Sequence, residues 1–173
     1  MIGALIGFVL SNFPILCCLL WLLSACIAVG RMSKPRDPQV VSDRFMAWYC
    51  FFVIGVYLFY NFIGHVFYGE MLARFIGWPN SPFQAEVGYA SLGFSVAGLF
   101  ACRGGHGMRF AAIAAPAMFL WGAACGHAYQ MVTAGNFAPG NAGAVFWTDI
   151  AVPLIGFAVL KWRYGKIIPS KGE

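Results

Sequence analysis

Five apolar stretches decide what this chain can fold into. The runs near Ile2–Val29, Phe45–Tyr68, Ala85–Cys102, Phe110–Val132 and Ala144–Trp162 are each long enough to cross a bilayer as a helix. In hydrocarbon a backbone must bond to itself, so such runs leave little choice but a helix bundle. With 61% of 173 residues hydrophobic and 10% charged, the composition is also far from that of a soluble domain. The expected fold is all-α, a polytopic membrane bundle of five transmembrane helices. One N-terminal helix (1–30) joins a cytoplasmic linker (31–44), then a four-helix unit of two hairpins (45–168) and a short tail (169–173). Leu23-Ser24-Ala25-Cys26 resembles a lipoprotein cleavage box. No positive segment precedes it, so helix 1 reads as retained.

The basic residues set an orientation. Arg31, Lys34, Arg36 and Arg44 follow helix 1, Arg103 and Arg109 flank the turn between helices 3 and 4, and Lys161, Arg163, Lys166 and Lys171 follow helix 5. In a five-helix topology all of these fall on one side, with Arg74 on the other. That side is expected to be cytoplasmic and the N-terminus outside, as in a bacterial inner membrane. The net charge of +5 then reflects topology and anionic lipid headgroups rather than a nucleic-acid partner. Other membrane subunits, or a second copy, are the protein partners this composition suits.

Polar groups gather at the opposite end. In helix 2, Tyr57, Asn61, Gly64, His65 and Tyr68 recur at spacings of three and four and share a face. A polar stripe in an apolar helix points into the bundle. The stretch Gly77–Gly88, G-W-P-N-S-P-F-Q-A-E-V-G, carries a helix start. Ser81 can cap, Pro82 needs no N–H at the first position, and Gln84 can reach back to the cap. Glu86 stands in that first turn, above Ala90, Gly93, Ala97 and Ala101. Helix 4 ends in Gly126-His127 with Gln130 beside it. The uncharged loop after it, N-F-A-P-G-N-A-G, contains Asn136 and Asn141 and leads to Asp149. Gly64-His65 and Gly126-His127 each precede an acid, 21 and 22 residues on. The two hairpins thus read as copies of one unit.

His65, Glu86, His127 and Asp149 are the candidate site, with Asn61, Gln84, Gln130, Asn136 and Asn141 around them. Two imidazoles and two carboxylates can hold a divalent metal such as zinc, iron or manganese. They can equally transfer protons, or the histidines can ligate haem from both faces. The plainer reading is a pair of histidine–acid clamps that hold the outer loops. The six cysteines include no C-x-x-C, which argues against paired redox thiols. Gly104-Gly105-His106-Gly107 lacks the lysine-serine of a phosphate loop, and His106 reads as a solvated turn residue.

The Gly77–Gly88 stretch, the N-F-A-P-G-N-A-G loop and the downstream D-I-A-V-P-L together resemble a bacterial membrane-protein family of unknown function. The likeness runs from about Tyr57 to Leu160. More distantly, a helix ending in Gly-His, a proline-containing loop and an acid opening the next helix is similar to the DoxX-like four-helix families. Some of those accompany thiosulfate or quinone redox systems. Likeness to membrane sterol isomerases is architectural alone. None of these resemblances carries a catalytic residue onto this chain. The expectation is a membrane protein whose outward pocket binds a small ligand or metal. The rivals are a non-catalytic accessory subunit of a larger complex, and a redox enzyme or isomerase using the same residues.

Overall fold

A computed structural model of the chain describes Phe8 and residues 11–170. The start of the expected first helix and Lys171 lie outside the described residues. All regular structure within them is helical. The order is α1 (Phe13–Gly30), α2 (Pro38–Phe67), α3 (Gly69–Ile76), α4 (Phe83–Ala101), α5 (His106–Ala134) and α6 (Pro139–Tyr164). Four of these, α1, α2, α5 and α6, are long and apolar enough to cross a membrane, not the expected five. The fifth, α4, has the length at 19 residues. Gln84, Glu86, Gly88, Ser91, Gly93, Ser95 and Gly98 dilute its apolar content below that of a membrane span.

That same dilution explains how α4 packs. It runs antiparallel to the second half of α2, with Gly88 against Val66 and Gly98 against Ile54 and Gly55. Lipid is as apolar as leucine, so helices in a membrane associate through close contact and hydrogen bonds. Here Asn61 donates to Ser91 Oγ at 2.9 Å, and Ser95 donates to the Gly55 carbonyl at 2.7 Å. The buried face is therefore Gly88, Ser91, Ser95 and Gly98. Of the row Ala90, Gly93, Ala97 and Ala101 below Glu86, Ala101 is buried, while Ala90 and Gly93 face outward.

α2 is the central helix, touching α1, α4, α5 and α6. It begins at Pro38, not Phe45, because Asp37 caps it by accepting from Gln39 N at 2.8 Å and Pro38 needs no N–H there. From Cys50 to Val56 its turns widen, and the N–H of Tyr57 reaches back five residues to the Phe52 carbonyl. Met46, Tyr49, Val53, Ile54 and Leu58 form the core with Ile113, Val152 and Leu160. Tyr49 donates to the Val152 carbonyl at 2.6 Å, next to Gly156, where a Cβ would lie 2.7 Å from the hydroxyl. α1 lies at the periphery. It buries Cys17, Trp21 and Ala25 and exposes Leu19, Leu22 and Leu23. Trp21 Nε1 donates to the Phe45 carbonyl at 2.8 Å.

One end of the bundle is tied by charge. Arg109, 3% exposed, donates to Asp43 at 2.6 Å, to the Ala101 and Cys102 carbonyls, and to Tyr164. Arg163 meets the same Asp43 oxygen at 3.2 Å. His106 is not a solvated turn residue. It is buried, bonds the Ile167 carbonyl at 2.8 Å and stacks on Tyr164 with centroids 4.1 Å apart.

Candidate functional site

At the other end two loops dock onto each other. Gly77, at φ 77°, ends α3 in the left-handed region that glycine adopts without strain. Asn136 donates to the Ile76 and Gly77 carbonyls at 3.0 and 3.2 Å, and its own side-chain oxygen accepts from Ala138 N at 3.0 Å. The first loop then lays Trp78 over α5. Gly126 lets this contact be close, since a Cβ there would stand 3.2 Å from the indole.

Beneath this roof is a cavity of about 560 Å³ between α2, α4, α5 and α6. Tyr57, Asn61, His65, Gln84, His127 and Asp149 all line it, as does Trp78. Both histidines are engaged in the same way. His65 Nδ1 bonds Gln84 Oε1, and His127 Nδ1 bonds Asn141 Oδ1 at 2.8 Å. The partner of each Nδ1 is an amide, not an acid. Gln84 therefore does not close a capping box; Ser81 makes no cap bond, and α4 starts at Phe83. Holding His65 outweighs capping an exposed helix end.

The state of His127 follows from its neighbours. Trp78 Nε1 can only donate, and it meets Asn141 Oδ1 at 2.9 Å. Asn141 Nδ2 meets the carbonyls of His127 and Asn136 at 3.2 and 2.8 Å, which can only accept. The amide orientation is thereby fixed, and His127 Nδ1 must carry the proton. In neutral His127 the lone pair is then on Nε2, 3.8 Å from Asp149 Oδ2. The Tyr57 hydroxyl lies beside that carboxyl. Asn141 is fully buried and Asp149 is 2% exposed, so this chain of groups is closed to water from behind. Among the described residues no buried side-chain nitrogen or oxygen lacks a partner.

The remaining candidates lie elsewhere. Glu86 is exposed. It sits two residues past Gln84, about 200° around the helix, so one points away if the other points in. Gln130 contributes its backbone carbonyl, which accepts from Asn136 N at 3.2 Å, and does not line the cavity. Asn136 belongs to the roof. Among the described residues no group of three or more His, Cys, Asp and Glu converges, so the expected four-residue metal set is not assembled. Haem held from both faces would need both Nε2 atoms aimed at one iron, and that of His127 is turned to Asp149. Tyr57 and Trp78 are site residues that the sequence reading did not select. Tyr57 was legible one turn below Asn61 on the polar stripe. Trp78 had no signal beyond its place in the loop.

A family model described as "Family of unknown function (DUF6790)" matches residues 11–166. No curated protein and no solved structure matches the chain, so the DoxX-like resemblance finds no support there.

Proposed function

The chain belongs to this DUF6790 family, and we propose that it is a membrane protein that binds a small amphipathic molecule in the cavity beneath Trp78. The observation that carries this is the polarity of the cavity. Hydrogen-bonding side chains fill its inner end, while its outer wall is apolar and open. Phe83 and Met118 line it and are 68% and 59% exposed. Gly122 lines it too, and nothing lies within 4 Å of where its Cβ would be. The gap between the first turn of α4 and the middle of α5 therefore opens sideways, at the depth of lipid chains. A molecule entering there keeps its apolar part in the gap and brings a polar head to His65, Asn61, Gln84, His127 and Asp149. The volume suits a small organic ligand. A head with a hydroxyl or similar donor fits best, because His127 Nε2 offers an acceptor.

A second reading keeps the same residues as a clamp in an accessory subunit. The complete hydrogen bonding of Asn141 favours it, since the two loops are tied without any ligand. If the site is instead reactive, the Tyr57–Asp149–His127 series is where a proton would move, as an isomerase or redox enzyme would need. In either case the arginine-rich end is proposed to face the cytoplasm and the cavity the outside.

Filling the mouth separates binding from clamping. Gly122→Phe has free space to enter, so the variant should fold. Protein purified in mild detergent should release an apolar-soluble compound on organic extraction, and mass spectrometry should show that Gly122→Phe loses it. Identical extracts from the two proteins would leave the clamp as the better account. Asp149→Asn should weaken retention without closing the mouth.

A further inference from the structure

A second and larger cavity, about 1110 Å³, lies at the opposite end of the bundle. Its floor is α2 and its sides are the end of α4 and, at Ala28, of α1. On α2, Arg44, Trp48 and Phe51 fall on one face at spacings of four and three. On α4, Leu99 and Phe100 stand one turn before Arg103, with Val96 a turn deeper. The two helices run in opposite directions here, so Arg44 and Arg103 come to the same rim and the apolar residues descend together below them. The apolar part extends about 10 Å along each helix, two turns.

The charges at this rim are unequal. Three arginines line the groove against one carboxylate, that of Asp43. Asp43 is already taken by Arg109 and Arg163. Arg44 and Arg103 are exposed, and among the described residues neither side chain has an ion-pair or hydrogen-bond partner. Two unpaired guanidiniums therefore sit over an apolar trough that begins at the bilayer surface. Guanidinium is a planar donor suited to phosphate oxygens, and polybasic pockets between membrane helices suit anionic headgroups. Trp48 and Phe100 supply the ring surfaces that pack at such an interface.

We infer that this groove is a specific site for an anionic phospholipid, with its phosphate between Arg44 and Arg103 and its acyl chains along Trp48, Phe51, Leu99 and Phe100. This site is independent of the cavity beneath Trp78. A zwitterionic lipid of the same chains fits the trough equally well but brings a cation to the arginines. Inorganic phosphate fits the rim but leaves the trough unfilled.

The test is native mass spectrometry of the full chain in nonionic detergent. Dioleoylphosphatidylglycerol, dioleoylphosphatidylcholine and inorganic phosphate are each titrated. One phosphatidylglycerol should be retained per chain where phosphatidylcholine is not, and phosphate should not displace it. Replacing both arginines, as Arg44→Gln with Arg103→Gln, should weaken retention about thirtyfold, from the typical contribution of each cation near an anionic headgroup. Both side chains are exposed and unpaired, so the fold should survive. Phe100→Ser, also at an exposed position, should weaken retention while keeping both charges. Equal retention of the two lipids, full displacement by phosphate, or an unchanged affinity in either variant would overturn the assignment.

Discussion

Asn141 joins three separated parts of the chain through one amide: Trp78 of the first loop, His127 of α5 and Asn136 of the second loop. Removing it takes that partner from the Trp78 indole N–H, the His127 Nδ1–H and the His127 and Asn136 carbonyls, on the side of the site that is closed to water. Asn141→Ala should therefore cost about 2–3 kcal/mol, the penalty for stranding a few buried polar groups. The thermal midpoint of the purified protein should fall accordingly. The imidazole nitrogens report the same event: 15N shifts should show His127 protonated at Nδ1 in the native chain and lose that preference in the variant. Glu86 and Gln84 show how the sequence misleads at this scale. The acid drew attention because histidine and carboxylate attract, yet a buried ion pair must overcome the desolvation of both charges. An amide holds an imidazole without that cost, and here it does so twice.

Among the elements, α4 was the least legible. Its apolar content and length read as one more span, while the face that matters is made of Gly88, Ser91, Ser95 and Gly98. Small residues carry no periodic hydrophobic signal, so the pattern that usually identifies a buried face was silent. The long apolar helices α1, α2, α5 and α6 were legible for the opposite reason. A backbone in lipid has few alternatives, and a run of suitable length is enough. The distinction between the two faces of α4 is measurable. A Cβ at Gly98 would fall 2.8 Å from the Gly55 backbone nitrogen, which cannot move aside without shifting α2. Gly98→Ala should destabilise by about 1–3 kcal/mol, as overpacked cores do. Gly93 has nothing within 4 Å, and Gly93→Ala should instead stabilise by up to about 1 kcal/mol through helix propensity. Chemical denaturation of both variants in the same micelle gives the comparison.

At the scale of the molecule, the two ends differ in kind. One is fastened by arginines around Asp43, the other by amides around two histidines. The charge asymmetry was plain in the sequence, because loop arginines and lysines are few and fall in blocks. The amide end was visible as a gathering of polar residues, but which ones meet depended on turns no pattern announces. Orientation can be read directly. With the native cysteines replaced, Asn80→Cys should react with an impermeant maleimide in intact cells, and Lys166→Cys only after permeabilisation; the reverse pattern would invert the proposed orientation. The widened turns at Cys50–Val56 set the angular phase of everything beyond them on α2. Tyr57, Asn61 and His65 face the cavity because the chain is long enough there to take that wider path. A chain one residue shorter in this stretch would turn the rest of the helix by about 100°. His65 would swing out of the cavity with its own sequence neighbourhood unchanged. The site thus has a ruler as well as a set of ligating groups, and the ruler ends one residue before Tyr57, the first group it aims.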